Sequence, residues 1–123
     1  MQGGRTRLNA AVEVRPTQGY GLNLDAAMKA TLAARPSAPT WILEGLAGAE
    51  DRVVRYLLAG NPATPVAALA RLSQDARPVV RAEVAANPSA PIDALEGLLE
   101  DGDEEARRVA GFYLKNKLPR GRP

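Results

Sequence analysis

Val79-Val-Arg-Ala-Glu-Val-Ala-Ala-Asn87-Pro-Ser-Ala-Pro91-Ile-Asp-Ala-Leu95-Glu-Gly-Leu98-Leu-Glu-Asp101 is the stretch whose reading decides the fold. Pro88 and Pro91 open it toward a leucine pair, Leu95 and Leu98. Moved back by 26 positions, the same pattern falls on Pro62, Pro65, Leu69 and Leu72, and moved back by 26 again it falls on Pro36, Pro39, Leu43 and Leu46. Val80 lands on Val54. Arg81 lands on Arg55 and, forward, on Arg107. Asn87 lands on Asn61, with Arg35 in that place in the first copy. Before the first full copy, Met28, Lys29 and Leu32 occupy the places of Val54, Arg55 and Leu58. No gap is needed. Self-similarity at a period of roughly 20–50 residues is the signature of a solenoid.

Each unit reads the same way. The proline of Pro39, Pro65 or Pro91 stands at or near the first position of a short helix, where its missing N–H costs nothing. The leucines three places apart share one side of that helix. A polar connector leads to a second helix, expected over about 51–59, 78–86 and 103–114, with Val54/Leu58, Val80/Val84 and Ala106/Val109/Ala110 turned inward. Arg-Pro or Asn-Pro then stops it, because a residue before proline disfavours the α region. The pattern leaves open whether the first helix of each unit is α or 3₁₀. Helices this short are unstable alone, so stability has to come from stacking. The expected fold class is all-α: an α-solenoid of about three and a half repeats, with units over 25–34 (half), 35–60, 61–86 and 87–114. Phe112, Tyr113 and Leu114 replace the Asn-Pro stop in the last unit and are expected to cap its open end.

Residues 1–24 do not follow the repeat. Leu8, Ala10, Val12 and Val14 alternate with more polar neighbours, which reads either as one strand or as an extension packed on the first helix. Residues 115–123 read as a basic, frayed tail.

Between the valine pair at Val79 and Asp101, the sequence resembles the leucine-rich repeat variant family, whose unit runs Val-Arg-x-x-Val-Ala-x-Asn-Pro-x-x-Pro-x-x-x-Leu-x-x-Leu-x-x-Asp. The resemblance covers about residues 25–114 and is clearest from Asp51 onward. It implies a right-handed superhelix of alternating α and 3₁₀ helices that serves as an interaction surface. The period here is longer than that family's usual unit. HEAT-like units, the nearest relatives in shape, lack the Asn-Pro-x-x-Pro step. A family member with an iron–sulfur module uses a cysteine cluster, and this chain has none.

Composition narrows the function further. The chain has 123 residues and neither cysteine nor histidine. That excludes Cys/His metal sites, Cys nucleophiles, histidine-based triads and an imidazole switch. The lack of cysteine fits the cytoplasm. Sixteen Lys and Arg against 14 Asp and Glu give a net charge of +2. The isoelectric point near 9.3 reflects this small surplus unbuffered by histidine, so it is weak grounds for nucleic-acid binding. No stretch approaches the roughly 18 apolar residues of a membrane span, and the first residues lack a signal-peptide core. Gly19-Tyr-Gly21 is too short for a phosphate loop. No catalytic constellation and no cofactor site stands out.

The most regular polar feature is the column Lys29, Arg55, Arg81 and Arg107. As a stripe of cations it would follow a phosphate backbone or an acidic partner. As a structural device it would pair within each helix, Asp25 with Lys29, Asp51 with Arg55 and Asp103 with Arg107. The acidic run Glu100-Asp-Gly-Asp-Glu-Glu105 lacks the offsets of a calcium loop and reads as a connector and first helical turn. Asn61 and Asn87 read as caps for their loops or for the backbone of the next repeat. Trp41 stands where Ala67 and Asp93 stand in other copies, so it is either a partner anchor or a contact for residues 1–24. The expected function is a non-enzymatic scaffold for protein–protein contacts. Its candidate contact residues are Trp41, Arg52, Arg55, Tyr56, Arg81, Arg107 and Arg108. Nucleic-acid binding through the arginine column is the alternative, and the lack of an evident polar cap on the N-terminal side points to homodimerisation or docking on a larger partner through residues 1–24.

Overall fold

The computed structural model describes residues 24–118, all helical or connecting, without a strand among them. The expected N-terminal strand or extension lies outside the described residues, as do positions 119–123. Seven helices follow in order: α1 (Ala26–Ala33), α2 (Thr40–Leu46), α3 (Arg52–Gly60), α4 (Val66–Leu72), α5 (Pro78–Ala86), α6 (Ile92–Leu98) and α7 (Glu104–Lys117).

The first helices of the units, α2, α4 and α6, are α-helices of seven residues each. Pro39, Pro65 and Pro91 sit at their N-caps, one place ahead of the first helical residue, with extended backbone. The proline carbonyls accept the opening bonds, from Leu43 at 3.1 Å, Leu69 at 3.0 Å and Leu95 at 3.2 Å. The second helices start on side-chain caps. Asp25 accepts from the Met28 amide at 2.9 Å, Asp51 from Val53 at 2.7 Å and Asp103 from Ala106 at 2.9 Å. An N-cap carboxylate satisfies an otherwise orphaned donor and favours the positive end of the helix dipole. α5 has arginine at its cap and starts on Pro78 instead. Asn61 and Asn87 end α3 and α5 in extended backbone, as a following proline requires.

The second helices α1, α3, α5 and α7 pack against one another in sequence, and the first helices lie more loosely side by side. Between the two layers runs one continuous core. Leu43, Leu69 and Leu95 are fully buried, as are Val54, Leu58, Val80 and Val84. Each such side chain contributes about 1.5–3 kcal/mol of transfer free energy, and neighbouring units supply the surfaces that bury it.

α7 departs from expectation at its end. It continues to Lys117, into the stretch expected to fray. Phe112 and Tyr113 do not cover the core. They stand exposed, edge to face with each other at 4.9 Å, and Leu114 takes the buried place. The reason is helical geometry: Ala106, Ala110 and Leu114 are four apart and share the inner face, which turns positions 112 and 113 away. Position 60 explains the choice at 112. A Cβ on Gly60 would lie 2.9 Å from Glu83 Oε2 in the next unit. The corresponding residue is Ala86 in the next copy and Phe112 in the last, where no further unit packs among the described residues.

Candidate interaction surface

Two ladders of polar bonds tie the units together. In the first, Arg55 Nε and Nη2 donate to both oxygens of Asp75, at 2.6 and 3.3 Å. Arg81 does the same to Asp101, at 2.7 and 2.9 Å. Each guanidinium is also anchored by Nη1 on a connector carbonyl, Ala49 O at 2.8 Å for Arg55 and Asp75 O at 2.6 Å for Arg81. The aspartates close a turn as well, accepting the amides of Arg77 at 3.0 Å and Asp103 at 2.8 Å.

These pairs replace the expected ones. Among the described residues Asp25, Asp51 and Asp103 do not pair with Lys29, Arg55 and Arg107. Their carboxylates turn onto their own helix N-termini, and Arg55 and Arg81 reach across to the following unit. The Arg55 and Asp75 side chains are only 16% and 5% exposed. Burial pushes the Asp75 carboxyl up, and the hydrogen bonds from Arg55 and the Arg77 amide outweigh it, leaving its pKa below the ordinary value. At Asp101 the Arg81 hydrogen bond dominates and lowers the pKa, and the same bond raises that of Arg81.

The second ladder is made by the asparagines, and it points backward rather than onward. Asn61 Nδ2 donates to Ala33 O and Arg35 O at 2.8 and 3.0 Å. Asn87 Nδ2 donates to Ala59 O and Asn61 O at 2.7 and 2.9 Å. Ala33 O and Ala59 O are carbonyls at the helix ends, and Arg35 O and Asn61 O also accept the amides of Ala38 and Thr64 at 3.2 and 3.0 Å. Tyr113 stands in the third place of this ladder, and there the helix runs on.

The candidate residues therefore divide. Arg55 and Arg81 belong to the joints between units. Arg52, Tyr56 and Arg108 lie exposed on the second helices, with Arg108 bound to Glu105 at 2.6 Å. Arg107 is exposed and, among the described residues, keeps only the carbonyl anchor, to Asp101 O at 2.7 Å. Trp41 is half-buried on α2, a first helix, and so stands apart from that row. The acidic run Glu100 to Glu105 is used piecewise, as the partner of Arg81, the cap of α7 and the partner of Arg108. Among the described residues no group of acids is placed to hold a metal ion.

Sequence reading missed Val53 and Val79, which are 52% and 55% exposed on the same row as Tyr56. The signal was the doublets Val53-Val54 and Val79-Val80. Adjacent helical residues are about 100° apart, so with Val54 and Val80 in the core their neighbours point outward. Beside Val79 an open groove of about 450 Å³ runs between α5 and α7, with Ala82, Ala86, Val109 and Tyr113 in its lining and Glu83, Asp103 and Glu105 as its acids.

No curated protein and no solved structure matches the chain. Residues 78–103, from the start of α5 to the cap of α7, match the family model described as leucine rich repeat variant, so the Asn-Pro-x-x-Pro step and both of its flanking helices lie in a segment that carries the signature of that family.

Proposed function

We propose that the chain is a non-enzymatic, cytoplasmic scaffold that binds a protein partner along the face made by its second helices. On this reading it is a right-handed solenoid of 26-residue units spanning residues 25–114. The observation that carries the reading is the exposed apolar row Val53, Tyr56 and Val79 on the second helices, with Val79 beside an open groove. Large side chains left exposed in a contiguous row mark contact surfaces. Arg52, Pro78 and Glu104 vary in one place of the repeat, and Tyr56, Ala82 and Arg108 in another, so the frame stays constant while the outward chemistry changes. The leucine rich repeat variant match over 78–103 agrees with a scaffold role. No helix among the described residues is long and apolar enough to cross a membrane.

The nucleic-acid alternative draws less support. Its stripe depended on four free cations, and Arg55 and Arg81 are half-buried against carboxylates. Capture of partners by the full chain, compared with Tyr56→Ala and Val79→Glu variants of unchanged circular dichroism, tests the proposal. Proteins retained by the parent and lost with both variants are expected. Retention unaffected by either variant, or retention of nucleic acid alone that vanishes with salt, would sink it.

A further inference from the structure

Arg107 is the third arginine of its ladder and, among the described residues, the one without a carboxylate. Its Nη1 donates to Asp101 O at 2.7 Å, as Arg81 Nη1 does to Asp75 O at 2.6 Å and Arg55 Nη1 to Ala49 O at 2.8 Å. In the two inner rungs this anchor sets the guanidinium so that Nε and Nη2 meet both oxygens of an aspartate. At Arg107 the same anchor is in place, and no carboxylate of the described residues meets that edge. A planar fork already held by one bond gives up little further freedom on taking a second partner.

We propose that the Nε–Nη2 edge of Arg107 is a binding site for an aspartate of a partner polypeptide, carried on a turn that leads into a helix. The two aspartates that fill this place within the chain define the ligand. Asp75 and Asp101 each accept the amide two residues on, so the carboxylate is rigidly presented just ahead of α5 or α7. Phe112, 58% exposed, faces the same side, because it holds the place of Gly60, whose neighbour is the following unit. It excludes one occupant: a further in-register repeat needs a small residue there, as Gly60 and Ala86 are. Asp103 and Glu104 lie one turn before Arg107 on its own chain, and Asp101 is already bound to Arg81. This acidic surround selects a single carboxylate over a polyanion such as a nucleic-acid strand.

The site lies at the end of the array and not on the second-helix row, so it stands or falls independently of the proposed function. The test follows the Arg107 Nε–H resonance of the full chain by NMR during titration with a synthetic peptide of residues 87–103, which carries Asp101 in its own turn. A saturable shift of that resonance is expected. An Asp101→Asn peptide should bind about fivefold more weakly, the upper range for a partly exposed ion pair. Followed through the backbone amide shifts of α7, the two peptides should bind alike to Arg107→Gln, and Arg107→Lys, which keeps the charge and loses the fork, should show only part of the fivefold difference. An unmoved resonance, equal binding of the two peptides to the parent chain, or inorganic phosphate shifting the resonance at lower concentration than the peptide would overturn the proposal.

Discussion

The side-chain amide of Asn87 is buried and uses its donors and its acceptor. Nδ2 donates to Ala59 O and Asn61 O at 2.7 and 2.9 Å, and Oδ1 accepts the Ser89 amide at 2.8 Å. Removing it strands the Ala59 carbonyl in a buried joint and frees the proline turn. Asn87→Ala is expected to lower unfolding free energy by about 2–4 kcal/mol, read from the urea midpoint at unchanged slope. An effect below about 0.5 kcal/mol would show that the amide bonds contribute little net stability. The recurrence of this residue was legible, and so was its structural role. Its direction was not, because a period specifies equivalence between units and leaves open which neighbour a side chain turns toward. The arginines show the same limit. Arg55 and Asp75 are 20 positions apart, and the helix-local rule of i,i+4 pairing offered Asp51 as the nearer partner. Asp51 was already committed to the helix N-terminus.

The second helices stack through small residues at one place, and that place grades the array. Gly60 is closed off by Glu83, Ala86 sits in the groove against α7, and Phe112 projects freely. The atom met at Gly60 is the mobile tip of a glutamate, so Gly60→Ala should be nearly neutral. Gly60→Phe forces the joint between α3 and α5 apart and is expected to cost about 3 kcal/mol. Phe112→Ala should change stability by less than about 0.5 kcal/mol. Thermal unfolding of the three variants checks the order, and equal costs at positions 60 and 112 would show that position 112 is packed like an inner joint. The helices themselves were legible from proline and leucine spacing to within a few residues. The exposure of Phe112 and Tyr113 was not, since an aromatic pair at the end of an array reads as a cover until the helix phase is known.

Across the molecule, the joints share one acid-sensitive device. Asp75 and Asp101 have lower pKa values in the folded chain than an ordinary aspartate has. Between the two values the unfolded chain binds more protons, so stability rises with pH there. Their contribution is complete above about pH 5 and is lost as pH falls through the folded values. Melting temperature should therefore fall steeply on acidification, and less steeply in the Asp75→Asn, Asp101→Asn double variant. Equal slopes for parent and variant would locate the acid sensitivity elsewhere. At this scale the sequence by itself determined the class of fold, the order of the helices and the buried ladder of leucines and valines. Proline geometry and apolar spacing act locally and recur at a fixed period, so they are readable without coordinates. Tertiary structure decided which arginine meets which aspartate and which carbonyls the asparagines satisfy. Those are contacts between units some 20 or more positions apart, and they depend on how helices are rotated against one another. It also decided that the cation column is not a uniform stripe: two inner arginines lie within joints, and Arg107 meets no carboxylate among the described residues.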